Sequence, residues 1–182
     1  MRAGLQAGML AALALVAGGC ESARVNVAIL DAQHPGPCEW ELAEEPAFTL
    51  TDALALLGKH FPGRRLVTAG LYREGANPRC LMVLQKGNSV ELQKLDARNG
   101  RFLSTQIGTA TKPDAAPLTE PALAPARALA LALESAPQAF ARTIAYQLEE
   151  GEFGYTIELV LHGLPHRVRV HADGRVELGK RD

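Results

Sequence analysis

The tetrapeptide Ala53-Leu54-Ala55-Leu56 returns as Ala128-Leu129-Ala130-Leu131, a shift of 75 residues. At the same shift Pro62 returns as Pro137, Met82 and Leu84 as Ile157 and Leu159, Leu95 as Val170, and Ala97 as Ala172. Gly100-Arg101 matches Gly174-Arg175 at 74, which marks a turn one residue shorter. Any single match is weak in a chain rich in alanine and leucine. A constant offset held across about 45 positions is the mark of an internal repeat, and two copies of one small unit are expected.

Each copy carries the same order of patterns. In the first, Leu50, Leu54, Leu57 and Phe61 form one stripe of an α-helix. Thr49 is its expected N-cap, with Asp52 three residues on as a weaker form of the capping box, and Pro62-Gly63 stops it. Strand-like runs follow at about 65–72, 80–86 and 90–96, with turns at Gly75-Ala76-Asn77-Pro78 and Gly87-Asn88. The second copy opens with Pro125 near the first helical position and runs as helix to about Ser135, before Pro137. Ile144, Tyr146 and Leu148 then alternate with polar residues, as do Tyr155, Ile157, Leu159 and Leu161, and Val168 and Val170. Such alternation gives an antiparallel sheet one buried face, which the helix is suited to cover.

A chain of 182 residues suits one ordinary domain or two small ones. Apolar content of 47% and charged content of 21% are those of a globular protein, while 5% aromatic residues imply small-grained cores. A net charge of -1 excludes nucleic acid as a partner, since that needs a dense cationic face.

Met1-Arg2 is a short positive n-region, followed by an apolar stretch from Ala3 to Gly19 broken by Gln6. This is the layout of a secretory signal peptide, too short and glycine-rich for a membrane span. Ala17-Gly18-Gly19 before Cys20 resembles the lipobox of exported bacterial lipoproteins, although Ala17 stands where leucine is more usual. The expectation is a lipid-bearing Cys20, anchored in the cell envelope and facing the periplasm; ordinary cleavage to a soluble protein is the alternative. Glu21, in place of the aspartate that retains lipoproteins at the inner membrane, favours the outer membrane. Of the remaining cysteines, Cys38 and Cys80 read first as a disulfide in an oxidising compartment. Closing a loop of about 43 residues would contribute roughly 4 kcal/mol on chain entropy. A metal site made with His34 is the alternative.

The expected division is therefore a signal peptide over 1–19, a lipidated tether and N-terminal segment over 20–46, and unit 1 over 47–107. A proline-rich linker with Pro113, Pro117 and Pro121 covers 108–124, and unit 2 covers 125–182.

A helix, three antiparallel strands and a closing Asp-x-x-x-Gly turn resemble the PepSY domain of protease propeptides and bacterial envelope proteins. The residues that carry this are Ala53-Leu54, Pro62-Gly63 and Leu95-Asp96-Ala97-Arg98-Asn99-Gly100-Arg101. The second copy departs from the pattern: His171-Ala172-Asp173-Gly174-Arg175 has a shorter turn and no aspartate at its first position. The resemblance implies an α+β fold of two cystatin-like units, each one helix packed on a curved antiparallel three- to four-stranded sheet. It also implies binding, or restraint of a protease, rather than catalysis.

The residues themselves offer no catalytic set. Ser22, Ser89, Ser104 and Ser135 lack a nucleophile-elbow context, and Cys38 and Cys80 lack an electropositive setting. Glu149, Glu150 and Glu152 read as a solvated turn. No enzyme, cofactor or metal is expected. The candidate partner-binding cluster is in the last hairpin, where alternation puts Glu158 and His162 on the same side as Arg167, Arg169 and His171. That side is either a solvated face, with Glu158 pairing an arginine across strands, or a docking face for an acidic partner or a pH-responsive patch. His166 falls on the opposite side, which weakens a three-histidine metal site. The function expected is a membrane-anchored, non-catalytic envelope binding or regulatory protein, restraining a peptidase or docking another envelope protein. A periplasmic small-ligand or metal sensor is the alternative.

Overall fold

The structure, a computed structural model, describes residues 42, 44–109, 121–149 and 151–179. The signal peptide, Cys20, His34 and Cys38 lie outside the described residues.

Helix α1 runs Leu50–His60, and Thr49 caps it: its hydroxyl accepts from the Asp52 amide at 3.3 Å, while its own amide donates to the Asp52 carboxylate at 2.9 Å. The box is thus complete, with aspartate in the role of the usual glutamate. Strands β1 (Arg65–Glu74), β2 (Asn77–Lys86), β3 (Ser89–Asp96) and β4 (Phe102–Thr109) follow. Helix α2 runs Pro125–Ser135, with proline in its first turn and no side-chain cap at Ala124. Strands β5 (Phe140–Glu149), β6 (Glu152–Leu161), β7 (Leu164–His171) and β8 (Val176–Leu178) complete the order. The helix and the first three strands of each half begin and end 75 residues apart, so the offset read in the sequence is also the offset of the elements.

The two halves are not separate cystatin-like units. All eight strands form one antiparallel sheet in the order β4-β3-β2-β1-β5-β6-β7-β8, with both helices against one face and touching each other. The join is β1 to β5, in the register Thr68 to Ala145, Ala69 to Ile144 and Gly70 to Thr143. Shifting each partner by 75 returns the same set of pairs, so a local two-fold relation passes through Ala69 and Ile144. The physical reason for the correction lies in that edge. Taken alone, each copy would leave its first strand with a row of unpaired backbone groups. Pairing these equivalent strands satisfies both edges at once and merges the two cores.

One core results. Leu50, Ala53, Leu54 and Leu57 of α1 and Ala128, Leu129 and Ala132 of α2 cover Leu71, Cys80, Met82, Leu84 and Leu95 with Ile144, Tyr155, Ile157, Leu159, Val168 and Val170. Met82 and Ile157 are wholly buried, each stabilising by about 1.5–3 kcal/mol. Gly100, at φ +72°, closes the turn after β3 against Phe48, whose ring would lie 2.5 Å from an added Cβ. The glycine is required there both by its backbone and by the close approach.

Cys80, expected to bridge Cys38, stands as a free thiol at the centre of β2, fully buried between Leu71 and Leu95. Burial pushes it up to about 12. In the native protein Cys80 is therefore expected to resist a thiol reagent, and to react once the chain is unfolded without reductant. Labelling followed by peptide mass mapping checks this. Silence after unfolding would restore the bridge, and fast labelling of the native chain would contradict the burial.

Candidate functional site

The face of the sheet turned away from the helices separates the two halves chemically. In the first half Val67, Val83 and Val90 make a small apolar cluster there, with Leu92 against it. Their equivalents at the repeat offset are Arg142, Glu158, Pro165 and Arg167. An apolar cluster in one copy is thus a charged one in the other, at the same strand positions.

The hairpin residues singled out in the sequence fall partly on this face. Arg167 stands opposite Glu158, Arg169 opposite Thr156, and His171 opposite Gly154, while Val168 and Val170 turn to the core, as the alternation implies. His162 does not join them. It occupies the β6–β7 turn at φ 53°, exposed at the hairpin tip, because the strand ends at Leu161. Parity counts fail once the chain turns, and a two-residue hairpin turn demands such a backbone.

Glu158 pairs not with the arginine across from it on β7 but with Arg142 on β5. Arg167 and Arg169 both converge on Glu149, which also accepts from the Gln147 side chain at 2.7 Å. Arg169 further donates to the Glu152 carbonyl at 2.8 Å. Glu149, read in the sequence as part of a solvated turn, is therefore the hub of the face. The repeat held the signal: its equivalent Glu74 pairs with Lys94, the equivalent of Arg169, and with Arg79 at 2.9 Å. Arg79 in turn corresponds to Gly154. A Cβ at Gly154 would sit 2.8 Å from the Val170 carbonyl, so the close approach of the β7 backbone requires glycine there, whereas its 3.5 Å from the Arg169 guanidinium is ordinary contact. The Arg169 side chain is 13% exposed and that of Arg167 45% exposed, so the first is built in and the second presented to solvent.

His171 and its equivalent Asp96 end the third strand of each half. Asp96 is buried, and the Arg98 side chain, the Arg98 amide and nearby Arg79 hold its carboxyl well below the usual carboxylate range. His171, also buried, has Glu152 at 3.3 Å from Nδ1 and Glu177 at 3.1 Å from Nε2, with Arg175 3.3 Å from Nδ1. Beside it opens a shallow groove of about 370 Å³ lined by Tyr146, Glu152, Phe153, His171, Asp173 and Arg175. Tyr155, behind the groove, donates to the Leu123 carbonyl at 3.1 Å, and burial raises its phenol above the usual range. Among the described residues no group of three His, Cys, Asp or Glu side chains is placed to hold a metal ion, and no helix is long and apolar enough to cross a membrane.

No protein-family model matches this chain, and no curated protein does. The PepSY resemblance therefore rests on its motif residues alone, and the joined sheet departs from the layout it implied. Among solved structures, a candidate lipoprotein from Clostridium difficile 630 is similar at TM-score 0.45 and 16% identity, over 76% of this chain and 99% of that one. At that level of likeness nothing is carried over from it.

Two outcomes follow from these contacts. Arg169→Ala is expected to lower stability by about 1.5–3 kcal/mol, since it strips a part-buried carboxylate of a charged donor. Arg167→Ala should cost no more than about 1 kcal/mol, as exposed pairs do; urea midpoints of the two variants separate them. The Asp96 carboxyl, being depressed in the fold, contributes stability that is present above the usual carboxylate range and lost as pH falls below it. Asp96→Asn should be less stable at neutral pH and should lose less stability between neutral pH and strong acid than the parent. An equal loss on acidification would remove Asp96 as a source.

Proposed function

We propose that this chain is a lipid-anchored, non-catalytic binding or regulatory protein of the bacterial cell envelope, and that it docks another envelope protein through the helix-free face of its second half. One observation carries the reading. The halves keep matched residues beneath the helices, such as Leu54 with Leu129, Met82 with Ile157 and Leu84 with Leu159, yet differ on the opposite face. A duplicated unit that holds its core and alters one outer surface has specialised that surface.

The anchor is argued from the apolar run that ends in Ala17-Gly18-Gly19-Cys20. Several acyl chains on one cysteine hold firmly, at about 0.8 kcal/mol per buried CH₂. The periplasmic side, and the outer membrane through Glu21, belong to the same proposal. A peptidase that the chain restrains is one partner of the right kind. Arg167 is the group on this face best placed to meet an acidic partner: both arginines pair with Glu149, but Arg167 stays 45% exposed while Arg169 is 13% exposed and also held by the Glu152 carbonyl. The groove beside His171 supports a second reading, a sensor of a small ligand with an aromatic ring to lie against Tyr146 and Phe153 and polar groups to meet Arg175.

Cys20→Ser should lose the lipid mass and move the chain from the membrane to the soluble fraction. Arg167→Ala, folded as the parent, should capture less of a cross-linked envelope partner, and the loss should shrink at high salt because screening weakens the parent too. Unchanged localisation would refute the anchor. Unchanged capture would clear Arg167 of the docking role, and a ligand-induced thermal shift without any protein partner would favour the sensor.

A further inference from the structure

The sheet ends in two edges, β4 and β8, which are equivalent in the repeat and differ in how they meet solvent. Strand β8 is three residues long, and Glu177 in its middle reaches His171 at 3.1 Å. Short length and charge are the usual ways of blocking an edge. Strand β4 has neither. It runs eight residues, Phe-Leu-Ser-Thr-Gln-Ile-Gly-Thr, with no charge and no proline. Phe102, Leu103 and Ile107 are 40%, 37% and 66% exposed. Among the described residues β4 pairs with β3 on one side only, and none of them supplies a strand to the backbone groups on its outer side.

We infer that β4 is the site at which a second copy of this chain adds, strand to strand and antiparallel, about a two-fold axis. Three observations select that occupant, independently of the function proposed above. An uncharged strand can face its own copy without setting like charges opposite one another, whereas it offers nothing to attract a charged peptide. With β8 short and charged, β4 is the one long uncharged edge among the described residues, so the association closes at two copies instead of running on as a fibre. The chain also already makes this contact internally, where β1 and β5, equivalent strands, pair antiparallel about Ala69 and Ile144. A register centred on Thr105 sets Ser104 opposite the partner's Gln106, and Leu103 opposite the partner's Ile107. Polar then meets polar and apolar meets apolar, twice over.

The test is the mass of the detergent-solubilised full chain by sedimentation, with micelles in excess so that sharing one is not imposed. A two-fold protein mass is expected, and Ser104→Lys with Gln106→Lys should abolish the doubling while the circular dichroism of the fold is retained. Those lysines face one another across the proposed seam. A parent that stays monomeric, assembles beyond two copies, or dimerises undiminished in the double variant would overturn the inference. A monomeric parent that takes up a synthetic extended peptide along β4 would overturn it too, and would assign the edge to a strand from another protein. Should the double variant fail to fold, amide exchange across 102–108 of the parent decides: protection must fall on dilution, and protection indifferent to concentration sinks the pairing.

Discussion

The antiparallel contact between β1 and β5 is what the rest of this molecule depends on. It spans only three residue pairs, yet it turns two marginal helix-and-sheet halves into one sheet with one core. A unit of about 60 residues buries a modest share of its surface and is correspondingly weak alone. Joining through equivalent edges removes two liabilities together, since each half covers the strand that the other would leave open. At the seam Ala69 and Ile144 turn into the core beneath the two helices, which touch each other there.

Around that common frame the halves satisfy the same positions by different physics. Where Val67, Val83 and Leu92 exclude water from the outer face, Arg142, Glu158 and Arg167 stand in the second half and bind as ion pairs. Apolar packing and well-made ion pairs can be nearly interchangeable in stability, because desolvation offsets much of the Coulombic gain. What differs is specificity: ions placed in a sheet surface can discriminate among partners, and valines cannot. The pairs Lys94 with Glu74 and Arg169 with Glu149, by contrast, occur in both halves and lace the third strand to the first across the second. That repetition marks them as part of the frame. The divergence at the strand ends, Asp96 against His171, is of the specialising kind, since it places an imidazole between two carboxylates beside the groove.

Much of this is legible in the order of residues alone. The offset of 75, the Thr49 cap, the extent of α2 and the inward Val168 and Val170 are all local, set by helix caps, breakers and period-two alternation. The outer face is legible only in part. Glu149 looks like loop because its partners, Arg167 and Arg169, lie two strands away, and no local pattern reports which long side chain reaches which carboxylate. His162 is misplaced by alternation because parity then runs one residue past the end of a strand. That the Val170 carbonyl is what comes close to Gly154 is invisible in sequence, where a glycine inside a strand signals only that something does.

By itself, then, the sequence determined the two helices, the first three strands of each half, their order and their duplication. Each of these is encoded in short-range patterns that a chain carries wherever it goes. Only the tertiary structure decided that the two copies share a sheet, which face of it stays free of helices, and that Glu149 gathers the arginines. Those outcomes rest on which edge finds a partner and how far a side chain can stretch across strands. Both are settled by contacts between residues distant in the chain, whose free energies depend on the whole fold being in place.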